Sequence, residues 1–129
     1  MDWKLLLIIC VMSLSLIDLV VTYVYVSTYK KWQPDKPFNL IELNPLLVFL
    51  WNKMGLTIGM ITGGVVILSL NYIITKETHW IFGVIILIFL VLALFNHAKN
   101  INLLYMLMEK YPSGYLNPEI FGEVIGNVK

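Results

Sequence analysis

Three stretches of this 129-residue chain, at about 5–28, 55–75 and 80–99, are apolar over a length close to the 20 residues that a helix needs to cross a bilayer. A chain built this way can satisfy its backbone N–H and C=O groups in lipid only by coiling into helices. The reading is therefore an all-α membrane protein with three transmembrane helices. Composition agrees: only 13% of side chains are charged and the mean hydropathy is +0.80, whereas a soluble domain carries roughly 25% charged residues. The first stretch is expected to stay as a span and not be cleaved as a signal. No A-x-A-like site follows it, and its apolar character runs past Asp18 to Val26.

Only K-E-T-H separates the second and third spans, so a tight antiparallel hairpin is expected. The third run, Trp80 to Phe95, is sixteen residues long and uses Asn96 to Lys99 to complete the crossing. Its helical pattern then continues through Ile101, Leu104 and Met108 as a C-terminal amphipathic extension. Between the first and second spans, K-K-W-Q-P-D-K-P-F holds two prolines and breaks the helix. N-P-L-L-V-F-L-W-N follows, too short to span and too oily to float free. It is read as a short interfacial or re-entrant helix over about 44–52, with Asn44 as N-cap and Pro45 at the first helical position. A tail, 111–129, repeats the N-P start at Asn117 and Pro118, where a second short surface helix is expected.

Lys30, Lys31, Lys36 and Lys53 fall between the first two spans, and Lys99, Lys110 and Lys129 at or after the end of the third; only Lys4 and Lys76 lie on the other side. The positive-inside rule then places the chain in the cell membrane with its N-terminus outside and its C-terminus cytoplasmic. A net charge of +1 without any basic block argues against nucleic acid as a partner. Cys10 is the single cysteine, so no intrachain disulfide is expected.

The polar residues inside the spans carry the functional question. Asp18 sits near the middle of the first span, where an ionisable group costs at least about 2.5 kcal/mol unless it faces protein or water. Ser15, Asp18, Thr22, Tyr25 and Tyr29 recur at spacings of three and four, one polar stripe that needs a partner surface. Gly55, Gly59 and Gly63 form two successive G-x-x-x-G steps in the second span, widened by Thr62 and Gly64, and are assigned to close packing of the first span or of a second copy. Asn96 and Asn100, four apart, share a face of the third span, with His97 about a quarter-turn away. With Glu42 and Asn44 entering from the cytoplasmic side, Asp18, Thr22, Glu42, Asn44, Asn96 and Asn100 are read as one polar pocket in the inner half of the bilayer. His97 and His79 stand on different faces with no H-x-x-x-H or E-x-x-H pattern, which argues against a zinc site. No cofactor or metal is expected.

D-L-V-V-T at Asp18 to Thr22, E-L-N-P at Glu42 to Pro45, a glycine-bearing second span and the late Asn96 resemble an uncharacterised family of small prokaryotic polytopic membrane proteins. Members of that family show D-x-x-x-T, E-x-N-P and an asparagine near the end of the third span. The resemblance spans roughly Ile17 to Asn100 and implies the architecture and the choice of residues, but no activity. The interval from Asp18 to Glu42 is longer than in the family pattern, and a lysine expected in the second span is missing. Asn39 and Glu42 also match an N-x-x-E pair of the membrane-bound glutathione and eicosanoid enzymes, but those enzymes hold glutathione with arginines, and this chain has none.

Two function classes follow. In the first, the protein is a non-catalytic helix-packing or assembly component, a homo-oligomer or a companion of other membrane subunits. In the second, the polar cluster binds or transports a cation or small ligand, or Glu42 or Asp18 acts as the general base of an intramembrane hydrolase. The first is preferred, because neither a nucleophilic serine with a nearby base, nor a phosphate loop, nor a metal motif is recognisable.

Overall fold

The computed structural model describes residues 2–34 and 44–111. They form four helices: α1 (Trp3–Trp32), α2 (Pro45–Met54), α3 (Leu56–Glu77) and α4 (Trp80–Lys110), with no strand among the described residues. Helices α1, α3 and α4 are each long and apolar enough to cross a membrane, and the protein is a multi-pass, all-α membrane protein. Large apolar side chains stand exposed along all three, among them Ile17, Val20, Ile61, Ile88, Phe89 and Phe95. In water that surface would be an aggregation liability. In hydrocarbon it costs nothing.

The helix ends obey local chemistry. Asp2 caps α1 by accepting from the Lys4 N–H at 2.9 Å, and Asn44 caps α2 by accepting from the Leu46 N–H at 3.0 Å, with Pro45 in the first turn where its missing N–H is not needed. Helix α4 starts on His79, whose Nδ1 faces the Ile81 N–H at 3.4 Å. Lys30, Lys31, Lys53, Lys76 and Lys110 occupy the last turns, where the helix dipole favours positive charge.

Helix α1 is the hub. It packs extensively on both α3 and α4, while α3 and α4 touch each other far less. The short loop at Thr78 and His79 does bring them back antiparallel, but the pair opens around α1. Leu7 of α1 meets Gly83 of α4 near one end, and the Trp32 indole N–H donates to the Tyr111 carbonyl at 3.0 Å at the other, so α1 and α4 run parallel. At 1.5 Å per residue, the 30 residues of α1 and 31 of α4 reach about 45 Å, well beyond the roughly 30 Å of hydrocarbon. The 22 residues of α3 give about 33 Å, enough for one crossing. The excess of α1 and α4 projects at the end where α2 lies.

There the core gathers: Tyr25, Val26, Tyr29 and Trp32 of α1 join Leu47 and Trp51 of α2, Met60 of α3 and Leu104 of α4. Ile101, Leu107 and Met108 pack against this cluster, while Asn102, Tyr105 and Glu109 on the other side of α4 are exposed. This is the amphipathic extension, continuous with the span. At the opposite end, which we call the hairpin end, the bundle is thin.

The glycine stripe has a different partner from the one expected. A Cβ on Gly59 would lie 2.8 Å from the Leu50 backbone, and one on Gly63 would lie 2.6 Å from Leu47 Cδ2; both neighbours belong to α2. Only Gly64 faces α1, through Leu19 at 3.4 Å. Gly55 is not part of the packing face at all. It has nothing near its Cβ position and takes φ +83° and ψ 167°, a conformation essentially reserved for glycine, which turns the chain from α2 into α3. The result is a small helical hairpin: α2 folds back along the first two turns of α3, with Leu50 opposite Gly59 and Leu47 opposite Gly63.

Helix α2 runs antiparallel to the first turns of α3 over about 10 Å. Leu47 and Leu19 reach adjacent glycines of α3, Gly63 and Gly64. The N-terminal turn of α2 therefore lies at the depth of Asp18 and Leu19.

Candidate functional site: an interhelical aspartate–histidine pair

The polar stripe of α1 divides its attention between two helices. Ser15, 1% exposed, accepts from the Asn71 side-chain N–H of α3 at 2.9 Å. One turn further on, Asp18 Oδ1 lies 3.1 Å from His97 Nε2 of α4, and Thr22 Oγ1 lies 3.2 Å from the same nitrogen. Tyr23, beside the stripe, places its hydroxyl 3.2 Å from Thr57 Oγ1 of α3. Thr22, Tyr25 and Tyr29 are buried.

The hydrogen-bond chain fixes the tautomer of His97. The Thr22 hydroxyl donates to the Asp18 carbonyl at 2.7 Å, the usual back-bond of a helical threonine. Its oxygen is then left to accept, so His97 Nε2 carries a proton. His97 Nε2 thus donates to Thr22, while Asp18 Oδ1 lies 3.1 Å from the same nitrogen as a close electrostatic neighbour, outside hydrogen-bond geometry. Both charged-type side chains are mostly sheltered, with 17% exposure for His97 and 23% for Asp18. The pair lies 17 residues beyond Trp80, about 25 Å along α4, level with the N-terminal turn of α2.

The six residues assigned to one pocket separate. Asp18 and Thr22 meet through His97. Asn44 lies at their depth but is engaged in capping α2. Asn96 is exposed, one residue round the helix from His97, and does not join the pair. Asn100 is buried, one turn beyond His97 on the same face. Glu42, like Asn117 and Pro118, lies outside the described residues. Sequence reasoning undervalued His97, although the signal was there: the apolar row Ile101, Leu104, Met108, extended back by four residues, lands on position 97 and not on 96.

Among the described residues, no group of three His, Cys, Asp or Glu side chains could hold a metal ion. No protein-family model, no curated protein and no solved structure matches the chain.

Proposed function

We propose that this protein is a non-catalytic, multi-pass component of the cell membrane, in which Asp18 and His97 fasten α1 to α4 and α2 plugs the same half of the bilayer. One observation carries the reading: the Asp18 carboxylate lies 3.1 Å from the His97 imidazole on another helix of its own chain, with no nucleophilic side chain beside the pair among the described residues. Interhelical polar pairs of this kind contribute about 0.6 to 2 kcal/mol each, and Ser15–Asn71 supplies a second on α3. Lysine placement favours an N-terminus outside and a C-terminus in the cytoplasm, which makes α2 re-entrant from the cytoplasmic side. The likeness to small prokaryotic membrane proteins with D-x-x-x-T and E-x-N-P fits the same role. A stable assembly with further copies or other subunits would cover part of the exposed apolar surface.

A second reading has one observation behind it. Asp18 keeps 23% of its side chain exposed, so a proton or small cation could reach the carboxylate. Asp18→Asn and His97→Gln, purified in detergent and in bilayers, separate the two. Lower thermal stability and altered oligomer size, the same at every cation concentration and pH, support the fastening role. Unchanged assembly with loss of a cation- or proton-dependent thermal shift supports the binding role and contradicts the first.

A further inference from the structure

At the hairpin end, a cleft of 980 Å³ runs between α1 and α4 alongside the Leu7–Gly83 contact. Ligand pockets fall in the range of roughly 300–1,000 Å³, so this one is large for so small a protein. Its walls are apolar: Leu6, Leu7 and Cys10 from α1, Val84 and Leu87 from α4. Its mouth is polar, formed by Asp2, Lys4, Thr78 and His79. Trp3 and Trp80 flank the mouth, 82% and 57% exposed, the side chain and placement that mark a membrane–water interface. An apolar slot that opens to the headgroup layer and descends into hydrocarbon has the polarity profile of a phospholipid.

The charges at the mouth narrow the headgroup. Lys4 and Asp2 are both exposed there, two residues apart, and the remaining charged pair at this end, Lys76 and Glu77, is joined to itself at 3.8 Å. Among the described side chains the mouth therefore offers one cation and one anion. Lys4 suits a phosphate, helped by the positive ends of the α1 and α4 dipoles. Asp2 spends one lone pair on the Lys4 N–H as N-cap and keeps the rest of its acceptor capacity for a cation.

We propose that this cleft binds a phospholipid with a zwitterionic, primary-amine headgroup, its acyl chain between α1 and α4, its phosphate at Lys4 and its ammonium at Asp2. A quaternary ammonium cannot donate to Asp2, and an anionic headgroup brings no cation to it. The site is separate from the Asp18–His97 pair and does not depend on the function assigned to that pair.

Native mass spectrometry of the full chain, offered phosphatidylethanolamine, phosphatidylcholine or phosphatidylglycerol with identical acyl chains, tests the proposal. The expected result is one retained lipid, with the ethanolamine form retained at least threefold over the other two. Glycerophosphoethanolamine, the same headgroup without chains, should not displace it. Asp2→Asn keeps an N-cap of equal quality and should erase the preference over phosphatidylcholine; Val84→Trp fills the slot and should abolish retention of all three. Equal retention across headgroups by the wild-type chain, or displacement by the chainless headgroup, would overturn the proposal, whether or not the variants fold.

Discussion

His97 Nε2 lies 3.1 Å from Asp18 Oδ1 across the α1–α4 interface, and the same nitrogen reaches Thr22 Oγ1. Side chains from two helices thus converge on one imidazole nitrogen, which bonds Thr22 and lies beside the Asp18 carboxylate. For Asp18 the alternative is exposure to lipid, which is costly for any ionisable group at that depth. The pair adds a polar contact to the α1–α4 register that Leu7–Gly83 and the Trp32–Tyr111 hydrogen bond mark at the two ends.

Position 96 should be silent where position 97 is not. Asn96→Leu removes an exposed side chain and is expected to change stability by less than about 0.5 kcal/mol. His97→Leu removes the imidazole beside a sheltered carboxylate and the partner of Thr22, and is expected to cost about 1–3 kcal/mol. Thermal unfolding of both variants in one detergent checks the contrast.

The α2–α3 hairpin depends on two glycines for different reasons. Gly59→Ala brings a Cβ within 2.8 Å of the Leu50 backbone, which cannot rotate away, and should destabilise by about 1–3 kcal/mol as α2 is pushed off α3. Gly55→Ala meets no neighbour but must hold φ +83°, at about 1–3 kcal/mol of backbone strain. Trp51 fluorescence is not readable alone among four tryptophans, so the check is a single-tryptophan background. There, Gly59→Ala should shift Trp51 emission toward the red as the side chain leaves its buried site, and a protein with unchanged emission and stability would contradict the packing.

Ser15 and Asn71 join α1 to α3 as Asp18 and His97 join it to α4. Asn71→Leu should leave the Ser15 hydroxyl buried without its donor and cost about 1 kcal/mol, whereas Ser15→Ala with Asn71→Leu should recover part of that loss. Reversible unfolding of the two singles and the double measures it.

Much of this architecture was legible in the sequence, because the signals were local. Apolar length marked the three crossings, and Asn44–Pro45 marked the start of α2 through a cap whose chemistry needs only neighbouring residues. The partners of the stripes were not legible. Spacing shows that Gly59 and Gly63 share a face, but not that α2 rather than α1 covers it; that follows from the turn at Gly55, only one residue long. Likewise, Asn96 and His97 differ by 100° of helix rotation, and on a helix apolar all round only the row Ile101, Leu104, Met108 tells which of them faces inward. The weak contact between α3 and α4 was hidden for the same reason: the short loop fixes their direction, while the polar side chains of α1 draw each helix to itself.

The most direct test of the fastening role is a double-mutant cycle with Asp18→Ala, His97→Ala and the pair, read as unfolding free energy in bilayers or bicelles. Mutual engagement predicts that the double variant costs less than the sum of the singles, with a coupling of about 1–2 kcal/mol. Additive losses, agreeing within about 0.3 kcal/mol, would show that Asp18 and His97 do not hold α1 to α4.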